Sequence, residues 1–392
     1  MIPLRARALE FNGEGLALDV GVLRVSRIPH RPASIKAQEV YVAGEGDIPD
    51  GFAWYIVHSA AEFDRLPAGA AGVAAPDQAK FLGQGDVIAV DPRRRSVRVH
   101  YRRSSPYNHF LLTERCNNYC LMCSQPPRDV DDAWVAQEVL RAIPLVDRDA
   151  VEIGFTGGEP TLLGDRFLEL VQAAAAHLPR TALHILSNGR RFADGRLAAR
   201  LGAIGHHDLM MGIPVYADLA HLHDHVVQAD GAFDETIRGI LALKASRVRV
   251  EIRVVLQAQT VKRLAELARF IVRNLLFVDH VALMGLEPTG FARANMASIW
   301  ADPIDYADQL EEAIRVLSNA GIRTSIYNSQ LCVIPASVRP FARRSISDWK
   351  QIYLPECATC EVRNDCAGFF ASVTYARSRG IKPLVSTPAA YP

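Results

Sequence analysis

The stretch Thr113-Glu114-Arg115-Cys116-Asn117-Asn118-Tyr119-Cys120-Leu121-Met122-Cys123-Ser124 places three thiols within eight residues, directly after an apolar run at 109–112. Three thiolates spaced Cys-x3-Cys-x2-Cys can wrap one corner of a cubane. A [4Fe–4S] cluster has four irons, so three protein ligands leave one iron open. An open iron is a reactive site, just as an open position separates catalytic from structural zinc. The bland alternative is a zinc knot that borrows a fourth ligand from elsewhere in the chain.

Downstream of 105 the chain alternates short apolar runs with helix-length segments. The runs fall at 109–112, 151–155, 182–186, 209–216, 248–256 and 280–286. Helices are expected over 133–146, 165–178, 194–203, 233–245, 261–275 and 305–319. Strands that are each followed by a helix imply parallel β/α units with right-handed crossovers. Six units are too few for a closed eight-unit barrel, which leaves a partial, open barrel or an open doubly wound sheet. In either, functional groups gather at the C-terminal ends of the strands.

Upstream, residues 1–104 read as a small β-rich domain. Trp54-Tyr55-Ile56-Val57 is one strand, and 87–90 with 97–101 form a hairpin around 91–96. The Ala/Gly-rich stretch 59–76 reads as a loop, and Arg93-Arg94-Arg95 as a solvated turn. The segment 105–325 is the β/α array, and 326–392 is a cysteine-rich extension. The Pro-rich tail 381–392 is expected to be poorly ordered.

Composition excludes several classes. Lys+Arg 44 against Asp+Glu 43 gives a net charge of +1 over 392 residues, which argues against nucleic-acid binding by bulk charge. A hydrophobic content of 49% excludes disorder as the main state. No run approaches the roughly 18–20 apolar residues of a membrane span, and Glu10 and Asn12 interrupt any signal-peptide core. A cytoplasmic location is expected, where seven cysteines would stay reduced and serve metal or redox chemistry.

At the end of the second run stands Thr156-Gly157-Gly158-Glu159-Pro160. Its glycines permit close backbone approach to a ligand, and Glu159 supplies an acceptor for an ammonium group. Taken together, the cysteine triplet and this motif one strand later resemble the signature of the radical S-adenosylmethionine (radical SAM) superfamily. The resemblance implies a partial (β/α)6 barrel in which Cys116, Cys120 and Cys123 hold a catalytic [4Fe–4S] cluster. It also implies S-adenosylmethionine (SAM) contacts at Gly157, Gly158 and Glu159. Ser187 and Asn188, in Ser187-Asn188-Gly189, would lie near the ribose, although a cap or turn explains them equally well. Leu286, in Met284-Gly285-Leu286-Glu287, and Met122 would touch the adenine. The implied chemistry is reductive cleavage of SAM to methionine and a 5′-deoxyadenosyl radical that abstracts a substrate hydrogen. An ordinary side-chain base could not take hydrogen from an unactivated carbon.

Four more cysteines follow: Cys332, then Cys357-x2-Cys360-x5-Cys366. Four thiolates are a full set for one closed site, either zinc or an auxiliary [4Fe–4S] cluster. The Cys-x2-Cys-x5-Cys run resembles the C-terminal auxiliary-cluster extensions of peptide-modifying radical SAM enzymes. Phe370 stands where the fuller extension has another cysteine, so one auxiliary site is expected. The runs 119–127, 284–293, 345–350 and 366–370 further resemble the radical SAM maturase of the His-Xaa-Ser peptide system, over about 86–371. That resemblance implies a ribosomally made peptide with His-Xaa-Ser repeats as substrate, an electron donor, and a partner maturase as a further partner. Two alternatives are a radical SAM enzyme acting on a nucleotide-derived small molecule, favoured by a Lys/Arg-lined phosphate site in the barrel mouth, and a non-enzymatic zinc-stabilised binding module.

Other residues attract weaker readings. His221 and His225 could share a helical face and a metal, but a local hydrogen-bonding or substrate-lining role for this His-Asp stretch is preferred. His206-His207 reads as a surface turn. Arg253 could face the barrel interior and meet SAM's carboxylate or a core carboxylate, its face being left open by strand alternation. Gln125-Pro126-Pro127-Arg128 stiffens the chain after the cysteines.

Overall fold

The computed structural model describes residues 5–7, 10–12, 21–44, 46–74, 80–344 and 351–385. The 345–350 run and the tail beyond 385 lie outside the described residues. An eight-stranded mixed sheet comes first: β1 (Arg5–Arg7), β2 (Glu10–Asn12), β3 (Gly21–Ser26), β4 (Glu39–Val42), β5 (Trp54–Val57), β6 (Gly72–Ala74), β7 (Val87–Asp91) and β8 (Ser96–Tyr101). Their order is β1-β8-β7-β3-β4-β5-β6-β2. The expected hairpin is the antiparallel β7–β8 pair. The 59–76 stretch is no simple loop, because it holds a one-turn helix at Ala60–Phe63 and then β6. The cause is a cap that the Ala/Gly composition hides: Ser59 Oγ accepts the Glu62 N–H, while the Glu62 carboxylate reaches back to the His58 N–H at 2.7 Å.

The first sheet docks on the β/α array through buried charge. Arg98 on β8 donates to Glu138 at 2.5 Å and to Asp91 at 3.2 Å, and His100 lies 3.2 Å from Glu138. Burial alone would raise the Glu138 carboxyl, but hydrogen bonds from His100 and Arg98 outweigh it and hold the group below its usual range. Arg94, from the supposed solvated turn, lies 4.2 Å over the Trp134 ring, and Arg98 lies 4.8 Å from it.

Seven parallel strands build the second sheet: β9 (Asn108–Leu111), β10 (Glu152–Thr156), β11 (Ala182–Leu186), β12 (Leu209–Pro214), β13 (Arg249–Leu256), β14 (His280–Gly285) and β15 (Thr324–Tyr327). Each pairs with its sequence neighbour in the order β15-β14-β13-β12-β11-β10-β9, so β15 and β9 end the sheet without pairing to each other. The sheet is therefore an open, partial barrel. Six strands match the expected runs, and β15 is a seventh that carries the parallel sheet past residue 325. Its four residues, Thr-Ser-Ile-Tyr, begin with two hydroxyl side chains and so do not stand out as an apolar run. The expected helices occur at Ala133–Ala142, Asp165–His177, Arg196–Ala203, Ala232–Ala245, Leu264–Asn274 and Ala307–Asn319, with Ala220–Val227 in addition. Residues such as Phe155, Ile185, Ile213, Ile252 and Val281 are fully buried in the main core.

The other face of each strand lines the lumen. Alternation on β13 points Arg249, Glu251 and Arg253 inward and sends Val250, Ile252 and Val254 to the core. Register aligns His109, Gly154 and His184 across β9, β10 and β11. A Cβ at Gly154 would fall 2.0 Å from the His109 ring, so this glycine makes room for an imidazole.

The C-terminal segment folds back on the open edge. Ala342 makes a parallel bridge to Ile326 of β15, where the Arg343 N–H donates to the Ile326 carbonyl at 2.8 Å. Ile352 and Phe369 bridge within the segment, and Gln330 Nε2 donates to the Gly368 carbonyl at 2.8 Å. Ser378 and Arg379 are tied to Asp302, Arg379 N–H at 3.0 Å. The described part of the tail is anchored, contrary to the disorder expected from its prolines: Glu361 N–H donates to the Leu384 carbonyl at 3.0 Å, and Ile381 and Leu384 pack on the main core.

Candidate active site

All three cysteines of the first triplet sit on the loop that leaves the C-terminal end of β9. The loop is fastened from four sides. The Tyr119 and Leu121 N–H groups donate to the Val227 and Val226 carbonyls at 3.0 and 2.9 Å, which places it on the end of the Ala220–Val227 helix. Phe291 N–H donates to the Cys123 carbonyl at 2.8 Å, and Asn295 Nδ2 to the Leu121 carbonyl at 2.9 Å. Asp132, unremarked in the sequence, accepts from Thr113 Oγ1 and from the Glu114 N–H at 2.5 Å. Arg190, also unremarked, donates to the Asn117 carbonyl and to Asn118 Oδ1, both at 2.7 Å.

The Gly157-Gly158 pair does close-approach work, but against protein. A Cβ on Gly158 would lie 2.2 Å from the Arg115 carbonyl oxygen, and one on Gly157, at φ +146°, 2.4 Å from that of Thr113. The Gly158 and Glu159 N–H groups donate to those same two carbonyls, each at 2.8 Å. The motif thus packs against the root of the cysteine loop.

Glu159 is fully buried, and its carboxylate accepts four hydrogen bonds: from Thr161 N–H (3.0 Å) and Oγ1 (2.5 Å), Ser187 Oγ (2.9 Å) and the Asn188 N–H (2.6 Å). Burial raises this carboxyl, against the four donors that favour its charged form. Glu159, Ser187 and Asn188 are therefore one unit that ties the end of β10 to the end of β11. Asn188 Nδ2 continues the chain to Asn117 Oδ1 at 2.6 Å.

Met122 is buried with Tyr216, Val226, Val227, Ala232, Ala292 and Ile299, and Leu286 packs against the same group. Gly285 is needed for protein packing, since its Cβ would meet the Asn328 carbonyl at 2.5 Å. Tyr119 and Phe291 stack at 6.4 Å, so the 119–127 and 284–293 runs, far apart in sequence, meet beside the cysteines.

The triplet's chemistry fits an iron–sulfur cluster: three thiols on one loop, with no carboxylate or imidazole among them. Burial pushes Cys116 up to about 11 and Cys120 up to about 12, and raises Cys123. Each thiol of this trio thus holds its proton until a cation compensates the thiolate. Cys332, Cys357, Cys360 and Cys366 line one small cavity with Tyr353, Arg363 and Lys382. Burial raises Cys332 and Cys366 as well, and the Leu384 N–H donates to Cys360 Sγ at 3.4 Å. Among the described residues no three His, Cys, Asp or Glu side chains are grouped tightly enough to grip a single metal ion.

The histidine stretch resolves into structure. His223 is buried, stacks on Tyr216 at 5.7 Å and accepts the Tyr216 N–H at 3.2 Å. Asp224 accepts the Gly231 and Phe233 N–H groups, both at 2.7 Å, and so starts the next helix. His206 and His207 are stacked at 5.2 Å. Arg253 faces the lumen and pairs with the core carboxylate of Glu251 at 2.6 Å.

An open parallel half-barrel with a cysteine loop after its first strand is the architecture of a radical SAM domain. Residues 110–271 match the family described as the radical SAM superfamily, so this part of the chain is a radical SAM domain. Solved structures with a similar fold include Streptococcus suis SuiB bound to S-adenosylmethionine, at 16% identity and TM-score 0.45, covering 56% of this chain and 49% of that one. The chain thus spans about half the length of SuiB. Native anSMEcpe with bound AdoMet and Cp18Cys peptide is 15% identical, with TM-score 0.49, 70% of this chain and 91% of that one covered. A radical SAM methyltransferase from Sphaerobacter thermophilus is 14% identical, with TM-score 0.44, 64% of this chain and 75% of that one covered. Curated protein sequences give no match. Among the described residues no helix is long and apolar enough to cross a membrane.

Proposed function

We propose that the chain is a radical SAM enzyme that modifies a ribosomally synthesised peptide of the His-Xaa-Ser type, with Cys116, Cys120 and Cys123 as ligands of a [4Fe–4S] cluster. The single observation that carries this reading is the three-thiol loop at the C-terminal end of β9, with the Glu159–Ser187–Asn188 unit beside it. When bound, the cluster and SAM would supply a one-electron cleavage that generates a carbon-centred radical. The chain's own residues hold, orient and exclude. Met122 and Leu286 offer an apolar surface for adenine. Gly157, Gly158, Ser187 and Asn188 shape the rim at the amino-acid and ribose ends, with hydrogen bonds from the last three going to Thr113, Glu159 and Asn117. Glu159 fixes that rim through its four accepted hydrogen bonds, which leaves its role toward SAM one of positioning. Tyr216, buried and raised well above its ordinary value by burial and then by the nearby Cys120 and Cys123, stays protonated. It closes the floor beneath the loop against water.

The peptide class is supported by the meeting of the two sequence runs at Tyr119 and Phe291, and the second cysteine cavity is assigned to one auxiliary cluster. An electron donor and a partner maturase complete the proposed set. Anaerobic purification tests the reading: brown protein with iron and sulfide, 5′-deoxyadenosine formed from SAM under reduction, and a mass change in a co-expressed His-Xaa-Ser repeat peptide are expected. Colourless protein carrying zinc alone would overturn it in favour of a zinc-stabilised binding module.

A further inference from the structure

At the end of the barrel opposite the cysteines, the lumen opens into a cavity of about 770 Å³. That lies within the range of roughly 300–1,000 Å³ found for ligand pockets. Along β13 the inward residues Arg249, Glu251 and Arg253 mark its depth; at about 3.3 Å per residue, that step covers roughly 13 Å of the barrel axis.

The deep end is electrostatically closed. Glu251 accepts from Arg253 at 2.6 Å, lies 2.6 Å from His280 Nδ1, and has His184 Nε2 at 3.4 Å. His280 Nε2 lies 3.0 Å from Ser325 Oγ. Burial opposes the charge on Glu251, but these partners outweigh it and hold the carboxylate ionised. Arg253 also reaches Met284 Sδ at 3.1 Å, so side chains of β13 and β14 together bound the deep end.

The mouth is different. Arg249 is neutralised by Asp208 at 2.6 Å. Arg343 donates to the backbone carbonyls of Pro340 and Ala342, each at 2.9 Å, and Arg344 to the Gln351 amide at 2.8 Å. Among the described residues neither these two nor Arg323 meets a carboxylate. Among the described residues Glu152 is the remaining rim carboxylate, so three guanidiniums without a carboxylate partner there face one. Low-dielectric walls focus such a surplus on an entering anion.

We propose that this mouth binds an acidic segment of the peptide substrate through Arg323, Arg343 and Arg344, an inference that rests on the peptide reading above. Guanidinium forks match carboxylates in bidentate geometry. The three arginines come from two separate segments of a mixed rim that also carries Tyr107, Tyr327 and Glu152. With two arginine segments and the rings of Tyr107 and Tyr327 spread around it, that rim suits an extended chain of alternating charged and uncharged residues, whose carboxylates can be spaced away from Glu152.

The test titrates anaerobically reconstituted protein with a dye-labelled hexapeptide of alternating Glu and Ala, read by fluorescence anisotropy. Binding at least tenfold tighter than for the Gln-Ala counterpart is expected, weakening with added salt. The double variant Arg323→Gln/Arg344→Gln should lose roughly tenfold in affinity. Arg323→Glu/Arg344→Glu should move the preference to a Lys-Ala peptide, a gain that misfolding cannot produce. Equal binding of Glu and Gln peptides overturns the assignment, as does unchanged affinity in both variants. Pyrophosphate binding in preference to the peptide would also overturn it and give the mouth to a phosphorylated small molecule. SAM cleavage by the same wild-type preparation is scored separately: its absence with acidic-peptide binding intact sinks the radical reading and leaves the mouth assignment standing.

Discussion

One nitrogen of the Arg190 guanidinium donates to both the Asn117 carbonyl and the Asn118 side chain, each at 2.7 Å, while Nε binds Glu235 at 2.6 Å. The end of β11 and the helix Ala232–Ala245 thereby hold the first turn of the cysteine loop. A charged hydrogen bond of this kind is worth about 1.5–3 kcal/mol, and the Arg190 side chain is only 15% exposed. Arg190→Gln should leave the fold intact by circular dichroism, yet lower the iron retained after desalting and alter the electron paramagnetic resonance signal of the reduced protein. Arg190→Lys should recover part of both. Iron content and spectrum identical to wild type in Arg190→Gln would remove Arg190 from the positioning role.

Gly158 gives a steric counterpart. A methyl group there would sit 2.2 Å from the Arg115 carbonyl, and a backbone oxygen held at both ends cannot swing aside. Gly158→Ala should cost about 3 kcal/mol or more, at the upper end for overpacking, whereas Gly44→Ala, with nothing within 4 Å, should change the denaturation midpoint little. Comparable midpoints for the two variants would show that the strand ends can part without loss.

Much of this arrangement was legible in the chain because it rests on periodicity and spacing. Six barrel strands follow from apolar runs, and the two motifs fall at strand ends because β/α connections place loops there. What was hidden is side-chain direction. Nothing in Thr156-Gly157-Gly158-Glu159-Pro160 distinguishes an acceptor aimed at a ligand from one that binds Thr161, Ser187 and Asn188. Arg190 and Asp132 escaped notice because single polar residues carry no pattern; their partners lie 73 and 18 residues away. The β15 strand was too polar to show as an apolar run, and Arg253's face needed the register that only pairing supplies.

His223 yields a pH prediction. Burial depresses its imidazole from 6.5 to about 4, with the weaker pull of Asp224 opposing. In the unfolded chain the ring takes a proton as pH falls through 6.5, while the folded ring stays neutral until about 4. The unfolded state therefore binds more protons across that window, and stability must fall as pH drops from 6.5 toward 4, by up to about 3 kcal/mol. His223→Gln keeps an acceptor for the Tyr216 N–H but does not titrate. Urea midpoints of wild type and variant should converge as pH is lowered from 7 to 4.5. A constant gap between them would mean that His223 titrates normally in the folded protein.

The seven cysteines divide by position into three on the β9 loop and four around the C-terminal cavity, and the two sets should separate by substitution. Replacing Cys120 removes one of three ligands from a site with none to spare, so Cys120→Ala should abolish 5′-deoxyadenosine formation while the second site keeps its metal. Cys360→Ala opens the four-thiol site instead. If that site holds a cluster, iron and sulfide per chain should fall by about half relative to wild type, with the signal of the first cluster retained. If it holds zinc, iron should stay constant and zinc should disappear. Because Leu384 N–H donates to Cys360 Sγ and Glu361 N–H to the Leu384 carbonyl, the same substitution should also free the 381–385 segment, seen as faster proteolysis of the C-terminus. Undiminished SAM cleavage in Cys120→Ala would refute the ligand assignment on which the proposed chemistry depends.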